Sequence, residues 1–163
     1  MICLSFLSVV HGARGIFFFT YGVIGKTEEG RQALGHAVGR LNRVYSWLVE
    51  ENLDTKVAVE MISENRVDPK GRPAVQCCVK RRGDAGLVIA VNTIGTGVEA
   101  LICAKRIAQS GKRKAERAER MANDTEKKVV REVFSGEDYV IRDGRLRARF
   151  GPYEVKAFLF RKN

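Results

Sequence analysis

The first third of the chain combines apolar runs with one helical stripe. Residues 1–11 are almost wholly apolar and predict a short buried helix. Residues 16–19 are apolar at every position, as expected for a strand that is buried on both faces. In residues 28–52, apolar side chains recur at steps of three and four, which predicts an amphipathic helix with Thr27 as its N-cap. This part of the chain therefore predicts a helix–strand–helix unit.

From residue 53 onward, the pattern changes to the short runs and alternation that are typical of β-strands. Asp143-Gly144 is a hairpin-turn dipeptide, and in the arm that follows it apolar residues alternate with arginines. Seven strands are predicted, over residues 56–62, 75–80, 87–91, 98–103, 139–142, 145–150 and 153–160. Many short strands separated by turn signals predict an antiparallel β-sandwich. The fold class expected for the whole chain is α+β.

Residues 104–128 interrupt the strand pattern. They hold good helix formers and almost no apolar stripe, so we expect a solvated loop or an exposed helix. They also carry nine basic and four acidic residues, and the resulting +5 is half of the chain's net charge of +10. Such a segment could contact the phosphates of nucleic acid or another polyanion. The candidate contacts are Lys112, Arg113, Lys114, Arg117 and Arg120.

The 163 residues are enough for one domain with a real core. The four cysteines include no C-x-x-C pair, and the two histidines are far apart, so neither a metal site nor a disulfide scaffold is expected. The adjacent Cys77 and Cys78 would point to opposite faces of a strand. The apolar N-terminus lacks a preceding basic residue, and His11 and Arg14 would fall inside any membrane span. We therefore expect no membrane segment, no signal peptide and a cytoplasmic location.

Two glycine-rich segments carry weak signals for phosphate binding. Residues 20–27 lie between a predicted strand and a predicted helix, but Thr20 occupies the position at which a P-loop requires glycine. Residues 95–100 match a dinucleotide fingerprint, but a strand rather than a helix is predicted after them. A helix start and a turn between two antiparallel strands are the simpler interpretations. No cofactor and no catalytic residue are therefore assigned.

Several segments together resemble a known enzyme family. Residues 11–19 resemble the lead-in and eighth barrel strand of the retaining (β/α)8-barrel glycoside hydrolases of clan A. The helix predicted after them is similar to the helix that closes such a barrel. Residues 79–92, a charged turn followed by an apolar strand that ends in Val91-Asn92, resemble part of the β-sandwich appended to these barrels. Residues 150–155 resemble the closing strand of that sandwich.

The resemblance implies a domain organisation and a function. Residues 1–52 would be the end of a (β/α)8 barrel, and residues 53–163 would be the C-terminal β-sandwich with a basic insertion at 104–128. In the family, the two catalytic glutamates lie on the fourth and seventh barrel strands, which would precede Met1. The chain is then expected to be non-catalytic alone. Phe19, Thr20 and Tyr21 would lie at the mouth of the barrel, where the family contacts sugar.

Two hypotheses of function remain open. The first is the C-terminal portion of a glycoside hydrolase in carbohydrate metabolism, with carbohydrate, the missing part of the barrel or a second copy of the chain as partners. The second is a small basic module that binds nucleic acid or another polyanion through residues 104–128. Salt-dependent binding to a polyanion would favour the second hypothesis.

Overall fold

The computed structural model describes residues 1–16, 25–50, 52, 58–63, 67–103 and 128–161. Within these ranges, three helices precede eight strands. The helices are α1 Ile2–Val10, α2 Glu28–Arg43 and α3 Tyr45–Leu48. The strands are β1 Val59–Met61, β2 Val75–Arg82, β3 Ala85–Asn92, β4 Val98–Cys103, β5 Lys128–Glu132, β6 Asp138–Arg142, β7 Arg145–Phe150 and β8 Val155–Arg161. The described chain is thus mostly strand, with few helices.

The eight strands form one antiparallel sheet in the order β1-β4-β7-β6-β5-β8-β3-β2. Its two edge strands, β1 and β2, contact each other, so the sheet curls into a nearly closed barrel. The two layers expected of a sandwich are therefore opposite sides of a single curled sheet. The structure supports the antiparallel β part of the expected fold. It does not show a partial (β/α) barrel, since residues 17–19 of the predicted barrel strand lie outside the described residues.

One face of every strand points into a shared apolar interior. The interior holds alternate residues of each strand, because successive side chains of a strand point to opposite faces. It consists of Val59, Met61, Val75, Val79, Val88, Ala90, Val98, Ala100, Ile102, Val130, Ile141, Leu146, Ala148, Phe150 and Phe158, with flanking residues such as Tyr139. The predicted alternation of residues 145–150 is confirmed, because their apolar members are buried and their arginines are exposed.

A second apolar cluster lies between the helices and the outside of the sheet. Phe6 and Val9 of α1 and Leu41 of α2 pack against the outward residues of three neighbouring strands, which are Cys78, Leu87, Ile89, Val91, Val155 and Ala157. The helices therefore cover the outer face of β2, β3 and β8. Cys77 packs towards the interior while Cys78 faces the helices, which confirms that the two thiols lie on opposite faces.

Local contacts stabilise the first two helices and mark some of their ends. In the apolar α1, the hydroxyl of Ser8 donates to the carbonyl of Leu4 at 3.0 Å, so a polar side chain is satisfied within its own helix. α1 ends at Val10, and Gly12, two residues further on, has a φ of +100° that is costly for other residues. The Thr27 Oγ1 accepts the Gly30 N–H at 3.0 Å and caps α2 as predicted.

The structure differs from the sequence prediction in three places. The helix predicted over residues 28–52 is divided at the buried Val44 into α2 and α3. Strand β5 was not predicted, because in KVVRE only the side chains of Val130 and Glu132 are buried. The loop between β3 and β4 joins strands that are not neighbours, since β4 pairs with β1 and β7.

Two buried polar side chains hold the loops of the barrel in place. The Asn92 amide donates to the carbonyls of Thr96 and Gly151, both at 2.8 Å, and so joins the ends of β3 and β7. The Glu132 carboxylate accepts three backbone N–H groups, those of Ala157 at 2.9 Å, Phe134 at 2.9 Å and Ser135 at 2.5 Å. Both side chains are almost completely buried, so each hydrogen bond replaces one to water.

We predict that Glu132→Gln destabilises the chain by about 2 kcal/mol or more. The amide has one acceptor oxygen in place of two, so a buried N–H group loses its partner and meets an NH₂ group instead. Urea unfolding followed by circular dichroism measures the change. Glu29→Gln on the exposed surface of α2 is the matched control and should change stability by less than about 0.5 kcal/mol. Equal stability of the two variants would contradict the role given to Glu132.

Candidate functional site

The residues predicted to bind ligands lie outside the described part of the chain. They are Phe19, Thr20 and Tyr21 for carbohydrate, and Lys112, Arg113, Lys114, Arg117 and Arg120 for a polyanion. These assignments remain predictions. The described residues on either side of the basic segment, Cys103 and Lys128, are nevertheless placed, and they locate the end of the barrel at which that segment leaves and re-enters the sheet.

A charged surface lies on the outer side of β1, β4, β6 and β7. We call it the arginine face, and it consists of Arg142, Arg145, Arg147, Arg149, Glu60 and Glu99, around the apolar Leu101, Cys103 and Val140. Its arginines lie outside because the apolar residues alternating with them fill the barrel. The sequence predicted that Arg145, Arg147 and Arg149 point outwards, but it did not assign them a site.

Glu99 is the anion that the arginine face already holds. Its Oε1 and Oε2 accept from the Arg147 Nε and Nη2 at 2.9 and 3.0 Å, a bidentate contact, and the Arg149 Nε donates to Oε1 at 3.2 Å. The hydrogen bond with Arg147, together with Arg149, lowers the pKa of Glu99 to about 2. Glu99 therefore stays ionised near neutral pH and cannot act there as a general acid.

The other arginines of the face are held less firmly. Arg145 lies 3.4 Å from the exposed Glu60, at the outer limit for a hydrogen bond. Arg142 is exposed and forms no ion pair with the described residues. Together with Arg147, these two residues line a shallow groove of about 570 Å³ whose other lining residues are Leu101, Cys103, Val140 and Asp143. Guanidinium groups thus surround an aliphatic floor.

The end of the barrel that carries this groove is basic. β6 ends at Arg142 and β7 begins at Arg145, on either side of the Asp143-Gly144 turn. β5 begins with Lys128, which pairs with Ile141, at the same end. β4 ends there too, since Cys103 pairs with Arg145. The sequence between Cys103 and Lys128, which carries a net charge of +4, is therefore attached on both sides to this end.

Other polar groups of the described chain have structural roles. The Lys80 ammonium is buried against the helix side of β2, donates to the Glu50 carbonyl at 2.7 Å and has a pKa lowered by burial. Burial raises the pKa of Cys77 to about 12 and that of Cys78 to about 11, so both thiols are poor nucleophiles. The His11 Nε2 lies at hydrogen-bond distance, 2.9 Å, from the Gln76 Oε1. These contacts join α1 and the segment after α3 to the sheet.

The structure also describes residues within the two glycine-rich segments that carry weak signals for phosphate binding. Thr27 caps α2, and a strand begins at Val98, as the simpler interpretations of the two glycine-rich segments require. No three metal-binding side chains come together within the described ranges. None of the described helices has both the length and the apolar character needed to cross a membrane.

No protein-family model matches the chain, and no curated protein matches it in sequence. Solved structures do resemble it. The crystal structure of AmyP in complex with maltose matches 82% of this chain with a TM-score of 0.50 and 15% identity, and the match covers 21% of the AmyP chain. At this identity the likeness shows a shared fold. This chain spans about a fifth of the length of AmyP.

Two further structures match at lower TM-scores. An Anoxybacillus α-amylase gives a TM-score of 0.44 at 12% identity, with 84% of this chain and 23% of that one covered. Gan42B, a GH42 β-galactosidase from G. stearothermophilus, gives 0.37 at 12% identity, with 83% and 13% covered. At TM-scores below 0.5, these two likenesses carry no argument about the fold or the function of this chain.

The contacts of Glu99 lead to a prediction about pH. Its pKa should be close to 2 in the folded chain, and Arg147→Gln should return it towards 4.5, with a smaller effect from Arg149→Gln. Because the pKa is lowered by folding, ionised Glu99 stabilises the fold above about pH 4.5, and this contribution is lost as the pH falls towards 2. Carboxyl-carbon NMR titration measures these values. A pKa of 4.5 in the unmodified chain would contradict the bidentate contact.

Proposed function

We propose that this chain is the C-terminal part of a glycoside hydrolase and that it does not hydrolyse glycosides by itself. The observation that carries the proposal is the likeness of the fold to a section of AmyP, which extends over 82% of the chain. The helices also support the proposal, because the helix layer and the sheet pack against each other around a shared apolar cluster. Residues 1–52 would be the end of a barrel, and residues 53–163 the attached β domain.

The exposed side of the helix layer supports this arrangement. Leu4 of α1 is 68% exposed, Tyr45 of α3 is 65% exposed, and Val49 just after α3 is 56% exposed. Apolar side chains at this exposure are common singly, but here they share one layer whose other side is already packed on the sheet. The rest of a barrel would cover them. We propose that Phe19, Thr20 and Tyr21 contact sugar at the mouth of the completed barrel.

The carboxylates with defined contacts argue against catalysis by this chain alone. Glu99 is tied to two arginines, Glu132 to three backbone N–H groups, and Asp68 to the Arg72 side chain and the backbone of its own turn. A retaining hydrolase needs one free carboxylate as nucleophile and one carboxylic acid as proton donor. Carboxylates held in this way are poorly suited to either role. AmyP was crystallised with maltose, which makes an α-glucan the first carbohydrate to test.

The first test is hydrolysis by the 163-residue chain. With 4-nitrophenyl glycosides and with maltotriose, we expect release of nitrophenol and of glucose no faster than the buffer blank, because the acid and the nucleophile are missing. A rate above the blank that is abolished by changing a single Glu or Asp of this chain would overturn the proposal. A rate that survives every such change would indicate a contaminating enzyme, and further purification would remove it.

The second test concerns the exposed helix layer. We expect the chain to self-associate at tens of micromolar, because no barrel covers its apolar surface. Leu4→Lys combined with Tyr45→Lys should shift it towards the monomer in light scattering with little loss of stability, since both side chains are exposed. Val129→Lys, at a residue 60% exposed on strand β5, is the matched control and should leave association unchanged. A monomeric unmodified chain would argue against a missing partner.

A further inference from the structure

The groove on the arginine face combines positive charge with an apolar surface. Three guanidinium groups, those of Arg142, Arg145 and Arg147, line it, while Leu101 and Val140 form an aliphatic floor. Val140 is 41% exposed, so this floor is open to solvent. An occupant that fits both features carries planar anionic groups on a body with apolar C–H surfaces.

We propose that this groove binds an anionic polysaccharide whose sugar rings bear carboxylate groups. The pyranose C–H faces would lie on Leu101 and Val140, and the ring carboxylates would be held by Arg142 and Arg145. The proposal concerns binding alone and is independent of whether the chain belongs to a hydrolase. The groove also differs from the basic segment, because its residues lie on described strands and in the described turn between β6 and β7.

Glu99 shows how a carboxylate is held on this face. Its two oxygens accept from the Arg147 Nε and Nη2 at 2.9 and 3.0 Å, the bidentate contact that guanidinium groups offer to carboxylates. Arg145 has only the loose contact of 3.4 Å with Glu60, whose side chain is 65% exposed. A ligand carboxylate can displace Glu60 from Arg145 at little cost, because exposed ion pairs are weak. Arg142 forms no ion pair with any described residue and is available.

The charge around the groove favours a linear polyanion over a small anion. Lys128, Arg142 and Arg145 lie at one end of the barrel, where the 143–144 turn contributes a single acidic residue, Asp143. The chain as a whole carries +10, so a long anionic ligand is attracted to it and guided to this end. A polysaccharide is favoured over nucleic acid because the described residues of the groove include no aromatic ring on which a base could stack.

The binding experiment uses the 163-residue chain and three probes of similar length. The first is a fluorescent oligogalacturonide, which bears one carboxylate per ring, the second is a neutral maltooligosaccharide, and the third is double-stranded DNA. We expect anisotropy to show binding of the oligogalacturonide that weakens as salt is added, because screening reduces the attraction between exposed charges. The maltooligosaccharide should not bind at this groove, since it gives the arginines no anion.

Variants locate the site. Arg142→Gln and Arg145→Gln should each weaken oligogalacturonide binding by about two- to fivefold, the value of an exposed charged contact. Glu60→Gln should strengthen it by about twofold, because it removes the competing carboxylate from Arg145. Val140→Ser should weaken it by about twofold without changing its salt dependence. Lys70→Gln is the matched control, because Lys70 is exposed in the loop before β2, at the opposite end of the barrel.

Each result decides the question. Loss in the arginine variants, gain in Glu60→Gln and no change in Lys70→Gln support the proposal. Equal loss in Lys70→Gln would show attraction by net charge alone and would overturn it. Tighter binding of DNA that is unaffected by Val140→Ser would make the face a phosphate-backbone site instead. Unchanged affinity for the oligogalacturonide in the arginine variants, or no binding of the oligogalacturonide, would also overturn it. Unfolding curves of each variant show whether the fold is intact.

Discussion

The structure depends on one constraint, that all eight strands give one face to the same apolar interior. Because those faces fill the interior, the opposite face of each strand must contact either the helices or solvent. On β2, β3 and β8 it carries aliphatic residues and is covered by α1 and α2. On β4, β6 and β7 it carries arginines and glutamate and remains open. The division of the molecule into a helix-covered side and an open charged side thus follows from strand alternation.

Much of this fold could be predicted from local pattern, and the exceptions have physical causes. The alternation of residues 145–150 and the hairpin turn before them define β6 and β7, because both signals lie within a few residues. β5 has no such signal, since its inward Glu132 is satisfied by backbone N–H groups that only the tertiary structure brings together. Likewise, α2 stops at Val44, whose φ of −114° and ψ of 11° leave the helical conformation, without a glycine or proline to mark the break in the sequence.

The candidate site shows the same limit of sequence reasoning. That Arg147 and Arg149 point outwards follows from their spacing alone. That both reach Glu99 follows from the register of β4 against β7, in which Glu99 is opposite Arg149. These strands are about 50 residues apart in the chain, so no local pattern could have shown the contact. The groove has the same origin, because its floor and its rim come from three strands that meet only in the sheet.

The opposite orientation of Cys77 and Cys78 makes strand β2 a natural reporter of motion in the molecule. Cys78 is buried beneath the helix layer, while Cys77 packs towards the barrel interior and stays partly exposed. An opening that lifts the helices from the sheet exposes Cys78 and leaves the surroundings of Cys77 unchanged. The rate of thiol labelling at Cys78, relative to that at Cys77, therefore reports partial unfolding of the helix layer within a single chain and without any introduced probe.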